Sequence, residues 1–380
     1  ETDNEQIVKN VAREAEKGSG TTRLFVFGVG YDVNTNLLDK LAQGNGGLTT
    51  YVRPSEDIEV KVSSFFAKIA QPLLTDVTLE YGRLDVYDSF PRDLPDLFHG
   101  SQIEVMGRYK SNSAGRCNVV MTGKAGSGSQ TFELGYDFPE QRDGTEYIAM
   151  LWASRKIGYL LDQIRLHGEK KELVDEVVKL SMEYGILTEY TAFLADEDRA
   201  VTADEARDRA AGKMSEALAA PGAAMGAGAV SRAQNAQGMQ QQTAVQTVNA
   251  YVDAEGKWQR FENIQNAAQR GFVNRGGRWE DTRYQRDQQI ALTVKAYSEA
   301  HFQLSRRFPA LNSQLAVGDN ALLILNGQLI EIGEDGKETL TEEDIKMLEA
   351  GKAGADQPAQ GHNPATGVLL ALAGLFGFEL

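Results

Sequence analysis

Cysteine and histidine are scarce in this sequence. It has a single cysteine, Cys117, and four histidines, His99, His167, His301 and His362. One thiol cannot form an intramolecular disulfide or a cysteine-rich zinc module. The histidines are far apart along the chain, and none has the spacing of a paired metal ligand. The sequence therefore argues against a disulfide framework and against a histidine metal site.

Long apolar runs and excess positive charge are also lacking. The longest apolar stretch, Gly367 to Phe378, is well below the ~20 residues that a bilayer-spanning helix requires. The 39 basic and 54 acidic side chains give a net charge of -15, which repels phosphate backbones. We expect neither a transmembrane span nor a nucleic-acid partner. No charged-then-apolar leader follows Glu1, so a targeting segment is expected to be absent or removed upstream.

What the sequence does contain is a series of distinct patterns over 380 residues, more than the roughly 150 expected of one domain. Residues 1–70 read helix, strand, helix, strand, helix, with strands at 23–30 and 48–52. This alternation is typical of a parallel sheet with helical crossovers. Because two strands cannot close such a core, we expect the remaining strands to come from upstream sequence or from a separate chain.

The next two segments have different periodicities. Residues 71–145 show short alternating runs separated by turn residues, which predicts an antiparallel β-region. Residues 146–198 predict a pair of helices, followed by a strand at 186–194 that rejoins the sheet.

The remaining half of the sequence begins with a segment of low hydrophobicity. Residues 199–249 are rich in Ala, Gly and Gln, which predicts a flexible linker with one short helix near 204–218. Residues 250–350 predict a small α+β module containing a hairpin that turns at Asn326-Gly327. Thr341 and Asp344 fit a capping box, which predicts a last short helix ending before Gly351. Residues 351–380 form a tail with an apolar end, expected to dock on the chain's own core, on a partner chain or on a lipid surface.

Two patterns resemble chemical sites. Gly28-Val29-Gly30 follows a strand, but Val33 stands where a dinucleotide fingerprint needs its third glycine, so the glycines are interpreted as a turn. A basic stripe, Arg155, Lys156, Arg165 and neighbouring residues, could face a polyanion, although acidic residues interleave with it. We assign no catalytic, cofactor-binding or metal-ligating residue.

Several segments within residues 1–198 resemble bacterial inter-alpha-trypsin inhibitor heavy chain-like proteins, which combine a "vault and inter-alpha-trypsin" (VIT) domain with a von Willebrand factor type A domain. The matching segments are 24–34, 37–42, 51–54, 94–102, 151–161 and 183–191. The resemblance implies that the chain is the C-terminal portion of a longer protein, lacking the VIT domain and the start of the type A domain.

The expected fold class is therefore α/β plus a β-rich region. It comprises the C-terminal part of a Rossmann-like type A domain, an antiparallel β-region with a helical pair, a linker and a small α+β module. The resemblance also implies a magnesium site in the longer parent, built by residues upstream of this chain, so we expect no cofactor in the chain itself.

The resemblance implies a noncatalytic protein that is secreted, periplasmic or on the cell surface and acts in adhesion or as a scaffold. Its expected partners are the upstream half of the parent, or a separate chain that completes the sheet, and an extracellular protein or glycan. Two alternatives stay open. The chain could be an assembly subunit that polymerises through its apolar tail, or an accessory subunit of an enzyme complex.

Overall fold

The computed structural model describes residues 3–17, 22–126, 128–139, 146–196, 201–220, 223–246, 248–267, 270–285, 288–350 and 368–369. In the described residues the helices are α1 (Asn4–Glu16), α2 (Thr35–Gln43), α3 (Ile58–Ile69), α4 (Glu146–His167), α5 (Lys171–Tyr184), α6 (Phe193–Asp196), α7 (Ala203–Ala219), α8 (Gly226–Gln240), α9 (Glu299–Arg307), α10 (Asn312–Leu315) and α11 (Glu342–Ala350).

The strands of the first half are β1 (Val26–Val29), β2 (Thr49–Val52), β3 (Pro72–Glu80), β4 (Val86–Phe90), β5 (Leu97–Phe98), β6 (Met106–Tyr109), β7 (Gly115–Ala125) and β8 (Gly128–Phe138). Those of the second half are β9 (Asn249–Val252), β10 (Trp258–Phe261), β11 (Ile264–Ala267), β12 (Arg270–Arg275), β13 (Arg278–Asp281), β14 (Ile290–Lys295), β15 (Ala321–Leu325), β16 (Gln328–Gly333) and β17 (Val368–Leu369). The chain is thus mixed α/β.

The first unit is a two-stranded parallel sheet with three helices. β1 pairs with β2 in parallel, from Val26 opposite Thr49 to Val29 opposite Val52, as the alternating pattern predicts. Asn34 caps α2 by accepting from the Leu37 amide at 3.0 Å. Asp57 caps α3 by accepting from the Glu59 amide at 2.8 Å.

All strand pairs from β3 to β8 are antiparallel, as predicted for this region. β7 and β8, each 11 residues long, pair antiparallel in a sheet ordered β5-β3-β7-β8. Cys117 lies in the core of this region, buried with Val119 and Met121 on the same face of β7. Buried and more exposed positions alternate along β7 because successive side chains of a strand point to opposite faces.

The prediction of a strand at 186–194 is wrong. In the structure these residues form turns that lead into the short helix α6. The Thr188 amide donates to the Thr191 hydroxyl at 3.0 Å, and the Tyr190 amide donates to the Thr188 hydroxyl at 3.2 Å. Threonine side chains that satisfy neighbouring amides compete with a strand ladder, so these hydroxyl bonds favour the turn over the predicted strand.

The prediction of a flexible linker at 199–249 is also wrong, because this segment contains two packed helices. α7 begins with a capping box in which Thr202 and Glu205 satisfy each other's amides. α8 is rich in alanine, a strong helix former, and buries Val230, Ala233 and Ala236. Low hydrophobicity here reflects small side chains at a close helix contact.

That contact joins α8 to α4. A side-chain carbon on Gly158 of α4 would lie 2.6 Å from the Ala236 carbonyl oxygen and 2.8 Å from Cβ of Met239. Only a residue without Cβ allows the two backbones to approach so closely. One hydrophobic core includes residues of α4, α5, α7 and α8 together with Ile264 and Val273 of the following sheet. The predicted division into units at 198 and 249 is therefore crossed by a shared core.

The C-terminal module is a six-stranded mixed sheet in the order β11-β12-β13-β15-β16-β14. The hairpin of β15 and β16 turns at Asn326-Gly327, where both residues have positive φ, as predicted for this dipeptide. α9 and α11 pack on the sheet through Leu304 and Leu348. Thr341 and Asp344 form the predicted capping interaction at the start of α11.

The apolar tail lies outside the described residues except for Val368–Leu369. The backbone of these two residues pairs antiparallel with β6, opposite Arg108 and Gly107. Among the described helices, none is long and apolar enough to cross a bilayer.

Candidate functional site

Among the described strands, β1 pairs only with β2, so one of its edges has no strand beside it. The amides of Val26 and Gly30 donate toward β2, to the carbonyls of Leu48 and Val52 at 3.0 and 2.9 Å. Since successive residues of a strand face opposite sides, the Phe27 and Val29 amides face away from β2. No described strand pairs with that side. We call it the open edge.

An apolar surface accompanies the open edge. α3 contacts β1 through Phe65, whose ring lies edge-on to Phe25 and Phe27 at 5.0 and 5.3 Å. The rest of α3 carries exposed apolar side chains, which we call the α3 patch: Ile58, Val60, Val62 and Phe66. Phe66 is 66% exposed and Val60 61%, and no residue of α3 is buried. A helix with so many exposed apolar groups is typical of an interface.

The other side of the two-stranded sheet is covered from within the chain. Tyr51 of β2 packs with Val230 and Ala233 of α8. Arg53 donates through Nε to the Gln234 side-chain oxygen at 2.8 Å. The chain thus supplies helical cover for this face, which the linker prediction missed, while the open edge still lacks a neighbouring strand in the described residues.

The turn after β1 has the conformation predicted for its glycines. Gly30 has a φ of +79°, in the left-handed region that favours glycine. A Cβ on Gly28 would lie 2.9 Å from the Tyr51 ring. These glycines therefore serve the turn and the contact of β1 with Tyr51.

A buried charge cluster fixes the sheet unit to the helical pair. Arg165 of α4 donates through Nη2 to Asp39 of α2 and to Asp162 of α4. All three side chains are nearly inaccessible to solvent. Burial raises the pKa of the Asp39 carboxyl, and the charge of Arg165 opposes that rise. Asn36 and Gln43 bond to the same cluster, so α2 is held against α4 by a network of charges and amides.

The interpretation of the basic stripe as a polyanion site is wrong, because Arg155, Lys156 and Arg165 are all buried and paired with carboxylates of the chain. Arg155 pairs with Glu104 at 2.8 Å. Lys156 pairs with Asp88 and Glu176, each at 2.8 Å, and lies 5.1 Å from the Trp152 ring centroid. Helical spacing shows which residues share a face, but it does not show that the face is buried.

The histidines are not brought together. His99 is exposed in a turn and His167 is exposed at the end of α4, whereas His301 is buried on α9, where burial lowers its pKa. His362 lies outside the described residues. Within the described residues, no group of three or more histidine, cysteine or carboxylate side chains could hold a metal ion. The described residues therefore do not supply the magnesium site that the resemblance implies for a longer parent.

The sequence missed a partly buried ionisable group, Glu189, which borders a cavity beside α4 and α8. Burial raises its pKa to about 7. The signal available in the sequence was a carboxylate within the largely apolar run 186–194.

No protein-family model matches the chain. Among curated proteins, it is 30% identical over 201 residues to inter-alpha-trypsin inhibitor heavy chain H4 of Homo sapiens, covering 50% of this chain and 21% of that protein. It is 28% identical over 221 residues to heavy chain H3 of Rattus norvegicus, covering 54% and 25%. It is 24% identical over 208 residues to heavy chain H2 of Sus scrofa, covering 51% and 22%.

The resemblance to inter-alpha-trypsin inhibitor heavy chains is therefore confirmed over about half of the chain. The matched part of this chain spans about a fifth to a quarter of the length of these relatives.

Proposed function

We propose that this inter-alpha-trypsin inhibitor heavy chain-like polypeptide is a noncatalytic protein-binding scaffold. Its two-stranded sheet is completed by a parallel strand from polypeptide that precedes residue 1 in a longer protein. Residues 1–70 are then the C-terminal part of a von Willebrand factor type A domain. The same proposal includes a secreted, periplasmic or cell-surface location and an extracellular protein or glycan as the final ligand.

The observation that carries the proposal is the open edge with the α3 patch beside it. An unpaired strand edge is a ready template for another strand. The outward amides of Phe27 and Val29 offer hydrogen bonds to such a strand, and the α3 patch offers apolar area. Preceding polypeptide is the favoured occupant because the heavy chains that match this chain are about four to five times as long as the matched part.

The strength of the contact can be anticipated from Phe66. Fully burying a phenylalanine side chain contributes about 1.5–3 kcal/mol. Because Phe66 is 66% exposed in this chain, most of that free energy becomes available only when a partner covers it. Replacing it by glutamate removes this gain and places a charge in the interface, so affinity should fall at least about tenfold.

The experiment titrates the polypeptide encoded before Glu1, produced separately, into the full chain and measures binding by calorimetry. The Phe66→Glu variant should bind at least about tenfold more weakly. Phe302→Glu is the matched control, since Phe302 is also exposed but lies on α9 of the C-terminal module. It should bind like the wild type. Equal affinity of the Phe66 variant, or no binding of the preceding polypeptide, would refute the proposal.

A further inference from the structure

A cavity of about 140 Å³ lies between α4, α8, the turn segment 185–189 and the strands β9 to β11. It is similar in size to the ~150 Å³ apolar cavities that admit benzene. Sites for drug-sized ligands are larger, about 300–1,000 Å³. This cavity therefore has room for a single short side chain or a small molecule.

The amide side chains that line the cavity are largely engaged with the main chain. Asn235 donates to the Val252 carbonyl at 2.8 Å and accepts from the Val252 amide at 3.0 Å. Asn249 accepts from the Leu187 amide and donates to the Gly185 carbonyl, both at 2.9 Å. These bonds fix the walls before any ligand arrives, which lowers the cost of ordering the site on binding.

Glu189 is the only carboxylate among the described residues that line the cavity. Burial raises its pKa to about 7, although the charge of Arg232 on α8 and a hydrogen bond from the Tyr190 side chain both oppose that rise. Arg232 is itself engaged, since its Nη2 donates to the Ala223 carbonyl at 2.8 Å. A desolvated carboxylate at a cavity wall is stabilised by any cation that enters.

Two aromatic side chains line the same cavity. Trp258 is 62% exposed, and Tyr251 is stacked on Phe261 with ring centroids 5.9 Å apart. Aromatic faces attract alkylammonium groups, with tryptophan the strongest. The net charge of -15 also draws cations toward the chain. The carboxylate, the aromatic wall and the overall negative charge thus all favour a cationic ligand.

We propose that this cavity binds a primary ammonium group on a short alkyl chain, with the Glu189 carboxylate as its counter-ion and Trp258 against its methylene groups. A lysine side chain of a protein partner and a free alkylamine share this chemistry. The proposal does not depend on completion of the two-stranded sheet.

The pH dependence of binding has a definite sign. The ammonium, with a pKa near 10.4, stays charged from pH 6 to 8, so the change comes from the cavity. With a pKa of about 7, Glu189 is about one-tenth ionised at pH 6 and about nine-tenths ionised at pH 8. The groups acting on it are Arg232 of α8 and Tyr190 of its own segment. Affinity should therefore rise by up to about tenfold from pH 6 to 8.

The test measures binding of three probes to the full chain by calorimetry at pH 6 and pH 8. The cationic probes are Nα-acetyl-lysine amide and n-pentylamine, and the neutral probe is Nα-acetyl-norleucine amide. Both cations should bind more tightly than the norleucine probe, and more tightly at pH 8. Tighter binding of the lysine probe would identify a partner's side chain as the source, and tighter binding of pentylamine a free amine.

The Glu189→Gln variant should lose at least about tenfold in affinity for the cations, together with the pH dependence. Glu262→Gln makes the same charge change at an exposed site between β10 and β11 and should bind like the wild type. Unchanged cation binding by the Glu189 variant would overturn the proposal. Equally tight binding of the norleucine probe, or no cation binding at millimolar concentration, would overturn it as well.

Discussion

Replacing Arg165 by methionine removes the cation from the buried cluster that fixes α2 to α4. Asp39 and Asp162 are 1% and 3% exposed, so without Arg165 two carboxylates would stay buried with no guanidinium between them. Removing one partner of a buried ion pair costs about 3–5 kcal/mol. Gln43 still bonds to Asp162 at 2.8 Å, so the expected loss of unfolding free energy at pH 7 is near the lower limit, about 3 kcal/mol.

The loss should depend on pH because the carboxyls can be neutralised. A carboxyl whose folded-state pKa lies above its unfolded value, as burial causes for Asp39, adds stability below the unfolded pKa that is lost as the pH rises through the folded pKa. Without Arg165 the folded pKa rises further. The variant should therefore differ less from the wild type at pH 5 than at pH 7.

Urea unfolding followed by circular dichroism at both pH values measures this difference. Arg13→Met is the matched control, because Arg13 is an exposed side chain of α1, and it should change the unfolding free energy by less than about 0.5 kcal/mol. A loss below about 1 kcal/mol for the Arg165 variant at pH 7, or an identical loss at pH 5, would refute this account of the cluster.

Two further predictions concern α8 and the cavity. Gly158→Ala should destabilise the chain by about 1–3 kcal/mol in thermal or urea unfolding, because the added carbon meets the α8 backbone at 2.6 Å. Gly238→Ala on the open side of α8 should instead stabilise the chain by about 0.5–1 kcal/mol. Equal effects of the two substitutions would mean that α8 is not packed on α4. Since the pKa of Glu189 is raised to about 7, the free energy of unfolding should fall by on the order of 3 kcal/mol between pH 4 and 8 from this group alone. Glu189→Gln should remove that part of the fall, as measured by urea unfolding at several pH values. An unfolding free energy with the same pH dependence in the variant would contradict the raised pKa.

Local rules predicted the elements whose signals are local. The parallel pairing of β1 with β2 followed from alternating patterns, the β15–β16 hairpin from Asn326-Gly327, and the start of α11 from Thr341 and Asp344. Each signal depends on residues within a few positions of one another. The resemblance to the heavy chains was likewise readable from short segments.

The errors arose where distant contacts decide the outcome. α8 has little hydrophobicity of its own, and its burial depends on Gly158, which is about 75 residues away along the chain. The cations of the basic stripe are paired with residues on other elements, as Arg165 is with Asp39. The cavity combines residues from 150 to 266, so no single stretch of sequence indicates it. Tertiary packing overrode composition at each of these places.

Hydrogen exchange at β1 tests the central claim most directly. In this chain alone, the Phe27 and Val29 amides should exchange rapidly because they face the open edge, while the Val26 and Gly30 amides should be protected by their bonds to Leu48 and Val52. When the preceding polypeptide is present, the two outward amides should become as protected as the inward pair. Outward amides that are already protected in the chain alone, or that stay rapid in the longer protein, would contradict the completion of this sheet by another strand.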